Sequence, residues 1–137
     1  MAPAPPVVLS IAGFDPSSGA GVTADIKTIA AHGCYGVACV SALTVQSTAG
    51  VRRVDPVAAD LLSETLEELA SDLEISAVRI GMLGSAKVVW AVAEFLAKHR
   101  LRNVVLDPIL RSSSGATLLA PAGASLLAES SFRWRLW

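Results

Sequence analysis

The chain has 137 residues, with eleven basic and twelve acidic side chains, a formal charge of −1 and 53% hydrophobic residues. That length holds one compact core and not two, and such an apolar content excludes a disordered chain. Near-neutral charge with no basic stripe and few aromatics argues against a nucleic-acid partner and favours a small-molecule ligand.

The leader MAPAPP carries no positive charge ahead of the apolar run, so no secretion signal is expected. Val7–Ala12 is a continuous aliphatic run ending at Gly13, the pattern of a strand covered on both faces. A loop follows to about Gly19. Val22–His32 then places Val22, Ile26 and Ile29 at helical spacing, with Gly33 where a helix end favours a left-handed residue. Tyr35–Leu43 reads as a second buried strand and Thr44–Gly50 as a loop. Cys34 and Cys39, both in an apolar stretch with four residues between them, match no common zinc spacing and are expected to be reduced, buried thiols.

Val51–Val57 reads as a short strand or extended segment. Ala58–Leu73 is an amphipathic helix with Leu61, Leu62, Leu66, Leu69 and Leu73 as its apolar stripe. Ala77–Ile80 is a short strand ending at Gly81. Ser85 can cap a helix that runs to about His99 and turns Val88, Val89, Val92, Phe95 and Leu96 inward. Its apolar part, Val88–Ala97, contains Glu94 and is too short to span a bilayer, so no membrane association is expected and a cytoplasmic location is the natural reading. His32 and His99 fall at helix C-termini, where the helix dipole accounts for them without a catalytic role. Val104–Leu106 is a strand stopped by Asp107-Pro108, and Pro121 suits the first turn of a last helix.

Strands alternating with helices imply a parallel sheet covered on both faces and joined by right-handed crossovers. Ligands collect at the carboxyl ends of such strands. Gly13, Thr44–Gln46, Gly81–Met82 and Asp107–Ile109 all follow strands directly.

The segment Gly19-Ala20-Gly21-Val22-Thr23-Ala24 fits the G-x-G-x-x-A dinucleotide fingerprint. Against that reading, the stretch Gly13–Gly19 separates the strand from the motif, and no acidic residue ends the second strand to bind a ribose. A Walker loop fails because no Gly-Lys-Ser/Thr follows. Taken alone, the glycine loop could equally be a structural turn.

Its surroundings decide between these readings. IAGFDPSSGAGVTADIKT resembles the first strand-loop-helix of the hydroxymethylpyrimidine/phosphomethylpyrimidine kinases, whose pattern is IAG-x-DPSGGAG-x-x-AD-x-K-T. HGCYGVACVSALTVQST, AVRIGMLGS and NVVLDPILRSSSGATLL resemble further segments of that family in the same order. The resemblance covers residues 7 to 127, with Ser18 where a glycine is usual and Ile109-Leu110 where Val-Met is common. It implies a ribokinase-like three-layer αβα sandwich with a mostly parallel sheet. The implied activity is phosphorylation of 4-amino-5-hydroxymethyl-2-methylpyrimidine and its monophosphate in thiamine biosynthesis, with ATP and Mg2+. A pyridoxal kinase-like enzyme shares the fold, but the GFDPSSGAG, LTVQST and GML segments lie nearer the pyrimidine enzymes.

The resemblance implies that Gln46 binds the pyrimidine, its amide pairing with the ring nitrogen and exocyclic amine. Asp25 is either a carboxylate favoured by the helix dipole or, as the AD-x-K match implies, a hydrogen-bond partner of the hydroxymethyl group. Gly13 and Gly21 would admit the ligand close to the backbone. Met82 would lie against the ring, while Val45 and Ile109 are either apolar walls or core. Asp107 either helps place magnesium or phosphate or closes an Asp-Pro turn.

In the family, the nucleotide cradle and catalytic loop lie in a C-terminal half with Thr-Pro-Asn, Lys-Gly-Gly-His and Gly-Thr-Gly-Cys segments, none of which occurs here. Residues 1–127 are therefore expected to form the substrate-binding part. Residues 128–137 read as a tail foreign to the family, as a frameshift or early stop would leave. Such a chain is expected to expose a sheet edge and apolar surface that favour self-association. It is also expected to lack kinase activity alone, as either a truncated kinase or a pyrimidine-binding fragment.

Overall fold

The computed structural model describes residues 2–107 and, beyond them, residues 109, 111, 115, 117, 123, 135 and 136. Its elements in chain order are β1 (Val7–Phe14), α1 (Gly21–Ala31), β2 (Tyr35–Ser47), β3 (Gly50–Pro56), α2 (Ala59–Asp72), β4 (Ile75–Ile80), α3 (Ala86–His99), β5 (Val104–Leu106) and β6 (Arg135–Leu136). The strands form one sheet in the order β3-β2-β1-β4-β5-β6. All neighbours are parallel except β3, which runs antiparallel to β2. The helix expected at Pro121 lies outside the described residues, as does most of the segment 128–137.

Alternation along β1 sorts the helices into two layers. Leu9 and Ile11 are fully buried on one face, in a core with Leu62 and Leu66 of α2 and Val88, Val89, Val92, Phe95 and Leu96 of α3. Burying each such side chain contributes about 1.5–3 kcal/mol. Ser10, between them, turns to the other face, where its hydroxyl meets Asp25 of α1. There Ile26 and Ile29 sit against Gly36 of β2, where a side chain would hold the helix off the sheet. The result is the expected three-layer αβα arrangement.

The helix boundaries follow their caps. Ser85 accepts a hydrogen bond from the Val88 amide at 3.2 Å and opens α3. Gly33, at φ 73°, turns the chain after α1. Glu67 of α2 takes Lys98 and His99 of α3, each at 3.0 Å, tying the two helices at one end.

Three expectations change. Thr44–Gly50 is not a loop: β2 continues to Ser47 and forms a hairpin with β3, with Thr44 opposite Val54 and Val45 opposite Arg53. Leu61 leaves the α2 stripe and is 57% exposed, because Leu62, Leu66 and Leu69 already fill the i, i+4, i+7 face and Leu61 stands about 100° away from Leu62. Cys39 is buried, and burial pushes its thiol up to about 11. Cys34 is only half-buried, in the turn before β2.

Candidate functional site

The carboxyl ends of β1, β2 and β4 surround a pocket of about 220 Å³, lined among others by Gly13, Gly21, Gln46, Met82, Ile109 and Arg79. This is below the roughly 300–1,000 Å³ common for ligand sites and suits a single small ring. Five residues singled out in the sequence, Gly13, Gly21, Gln46, Met82 and Ile109, thus share one cavity.

Each is placed by its strand or loop. Gln46 lies on the extended part of β2. Thr44, two residues earlier on the same face, sets its hydroxyl 2.8 Å from the Phe14 carbonyl and 3.1 Å from Gln46 Oε1. Met82 follows β4, and its carbonyl accepts a hydrogen bond from the fully buried Ser41 hydroxyl. Its terminal methyl occupies the space a side chain at position 13 would need. Gly21 has φ 63°, and a Cβ there would strike the Gly13 carbonyl. The two glycines therefore let the start of α1 and the end of β1 approach each other.

Asp15 orders the glycine loop. Its Oδ1 accepts from the Ser17 amide at 2.8 Å and the Ser17 hydroxyl at 2.7 Å. Its Oδ2 accepts from the Gly19 amide at 3.1 Å and the Ala20 amide at 2.9 Å. Burial pushes this carboxyl up, but the four hydrogen bonds outweigh it and hold it below its ordinary value. The loop amides that would cradle a phosphate at a helix N-terminus are thus committed to a carboxylate of the chain itself. Ser18, the departure from the family glycine, sits in the left-handed region at φ 62°.

The remaining candidates lie elsewhere. Asp25 and Asp107 line a neighbouring groove of about 510 Å³ between α1 and the β4–β5 face. Arg79 joins them, with Nη1 3.0 Å from Asp25 Oδ2 and Nη2 3.4 Å from Asp107 Oδ2. Val45 points away from Gln46, as successive strand residues do, and is 49% exposed. Asp15, Ser41 and Arg79 were not singled out in the sequence, and Thr44 only as part of a strand end. A lone arginine inside the apolar run AVRI, and a serine inside VACVSAL, were the signals that could have found two of them.

Residues 15–133 match the family model described as phosphomethylpyrimidine kinase. The chain belongs to the phosphomethylpyrimidine kinase family. It is 44% identical over 119 residues to the hydroxymethylpyrimidine/phosphomethylpyrimidine kinase of Salmonella typhimurium, covering 87% of this chain and 45% of that enzyme. It is 47% identical over 117 residues to the thiamine biosynthesis multifunctional protein ThiED of Corynebacterium glutamicum, covering 85% of this chain and 15% of that protein. Among solved structures, phosphomethylpyrimidine kinase from Clostridium difficile superposes with a TM-score of 0.81 at 37% identity, covering 89% of this chain and 53% of that one. Staphylococcus aureus pyridoxal kinase in complex with pyridoxal gives 0.81 at 26% identity, over 94% of this chain and 47% of that one. The fold is therefore the α/β fold of the ribokinase-like vitamin kinases. The chain spans about half the length of the single-function enzymes it matches.

Membership of a kinase family implies a nucleotide, and a further Staphylococcus aureus pyridoxal kinase structure holds AMP-PCP. The glycine loop does not fit one, because Asp15 takes its Ser17, Gly19 and Ala20 amides. No group of three or more His, Cys, Asp or Glu among the described residues could hold a metal ion. Among the described residues no helix is long and apolar enough to cross a membrane.

Proposed function

We propose that this chain is the substrate-binding portion of a hydroxymethylpyrimidine/phosphomethylpyrimidine kinase. In this reading the full enzyme phosphorylates 4-amino-5-hydroxymethyl-2-methylpyrimidine, and then its monophosphate, in thiamine biosynthesis. The observation that carries it is the convergence of Gln46, Met82, Gly13, Gly21 and Ile109 on one ring-sized pocket at the strand ends.

In this reading the Gln46 amide reads the aminopyrimidine edge, donating to a ring nitrogen and accepting from the exocyclic amine. The Met82 thioether packs against the ring face and Ile109 closes a wall. Asp25 accepts a hydrogen bond from the hydroxymethyl group. Asp107, paired with Arg79, faces the side from which phosphate and Mg2+ would approach. ATP supplies the phosphoryl group in this family; the family's Thr-Pro-Asn, Lys-Gly-Gly-His and Gly-Thr-Gly-Cys segments do not occur in this sequence, and in this reading the 137 residues bind the pyrimidine without phosphorylating it. Location in the cytoplasm, and self-association through the exposed apolar residues Leu43 and Val45 of the hairpin, belong to the same reading.

Titration calorimetry tests it. The chain is expected to bind the pyrimidine, and Gln46→Ala to weaken binding about 5- to 100-fold, the cost of an unpaired buried polar edge on the ligand. Absence of heat with the wild-type chain overturns the reading. Pyridoxal is the rival ligand, favoured by the equal TM-score of its kinase; tighter binding of pyridoxal would shift the substrate class. ATP-dependent phosphorylation by the purified chain would refute its inactivity.

A further inference from the structure

Arg79 is a charged residue in an interior strand, between Val78 and Ile80, which are 2% and 0% exposed. Strand pairing sets it beside Ser10 of β1, and both side chains turn to the α1 face. There they meet on one atom: Asp25 Oδ2 accepts from Ser10 Oγ at 2.7 Å and from Arg79 Nη1 at 3.0 Å. The other end of the guanidinium points to Asp107. Among the described residues, Asp25 Oδ1 receives no hydrogen bond.

Two further facts bear on what this cluster does. Arg79 lines both the strand-end pocket and the adjacent groove, whereas Asp25 lines only the groove. The guanidinium also lies across Gly81, where a Cβ would overlap Nη1. The guanidinium therefore borders both cavities, with Asp25 and Asp107 on the groove side. The Arg79 side chain is 29% exposed and its partner Asp25 16%, so their ion pair bears part of the desolvation cost of burial and by itself adds little to folding. A functional gain is the better account of its presence.

We propose that Arg79 is a positioning residue: it holds the Asp25 carboxylate at the groove's border with the pocket, so that the free oxygen meets the hydroxyl of a substrate whose ring fills the pocket and whose hydroxymethyl arm reaches past the guanidinium. This rests on the pyrimidine-binding reading and extends it to the selection of an alcohol over a plain alkyl group. Asp107, on the second arm of the fork, keeps the guanidinium from swinging into the pocket.

The test compares two ligands by calorimetry on the 137-residue chain: 4-amino-5-hydroxymethyl-2-methylpyrimidine and its analogue with a 5-methyl group, 4-amino-2,5-dimethylpyrimidine. The wild-type chain is expected to prefer the alcohol about tenfold, the size of one hydrogen bond to a charged acceptor. Arg79→Met is expected to abolish that preference, weakening the alcohol about tenfold more than the methyl analogue. Arg79→Lys should restore part of it, and Asp25→Ala combined with Arg79→Met should be no worse than either alone. Gly81→Ala, which keeps every charge and displaces the guanidinium, should also erase the preference; it carries the test if Arg79→Met fails to fold. A purely structural arginine would instead lower affinity for both ligands equally, and that result, or a preference unchanged in the variants, overturns the proposal alone. A wild-type chain that binds neither pyrimidine overturns the functional reading and this inference with it.

Discussion

Ser18 and Asp15 show how single residues set the glycine loop. Ser18 holds a left-handed backbone at φ 62°, which costs a residue with a Cβ about 1–2 kcal/mol, partly offset by the entropy a glycine loses on folding. Ser18→Gly is therefore expected to stabilise the chain by about 0.5–1 kcal/mol, read as a rise in the thermal midpoint. Asp15→Asn cannot accept the four hydrogen bonds that Asp15 takes and should lose about 1–3 kcal/mol at pH 7. Because the folded carboxyl titrates below its ordinary 3.8, its contribution is complete above that value and disappears as the pH falls through the folded one. The stability gap between the two chains in denaturant melts should accordingly be constant above pH 3.8 and narrow as the pH falls below it; a gap that widens on acidification would contradict the assignment. The motif was visible in the sequence, but its meaning was not: whether its amides face a phosphate or Asp15 depends on where the aspartate side chain folds back, which spacing does not encode.

At the scale of elements, the helices were the most legible. Ser85 caps α3 as its type and position suggest, and the apolar faces of α2 and α3 close on each other and the sheet. Leu66→Ala should cost about 2–5 kcal/mol through the cavity it leaves, whereas Leu61→Ala, one residue off that face and mostly exposed, should stay within about 0.5 kcal/mol. Urea denaturation separates the two directly. The hairpin was less legible. Small polar residues from Thr44 to Ala49 look like a loop, yet they alternate. Thr44 and Gln46 turn to the pocket while Leu43 and Val45 turn to solvent, the reverse of the usual apolar-in pattern. A strand that turns its polar residues into a pocket inverts the signal by which strands are recognised. Arg79 was obscured in the same way, a charge inside an apolar strand that acquires its reason only when β1, α1 and β5 bring Ser10, Asp25 and Asp107 around it.

For the whole molecule, the parallel core and its carboxyl-end pocket were readable because alternating strands and helices leave few topologies. Gly13, Gln46, Met82 and Ile109, each at or just after a strand end, accordingly line one pocket. Asp25 and Asp107 fall in the adjoining groove instead, since sequence spacing fixes the end of the sheet but not which of two adjoining cavities a side chain lines. The chain carries about half the length of its single-function relatives, and the central claim is that this half already contains a formed site for the pyrimidine ring. Amide chemical shifts recorded while titrating 4-amino-5-hydroxymethyl-2-methylpyrimidine test that claim most directly. The account predicts saturable shifts concentrated at Gly13, Gly21, Gln46 and Met82, with the amides of α2 unmoved. Saturable shifts centred on any other surface, or none at ligand concentrations well above those of the chain, would contradict it.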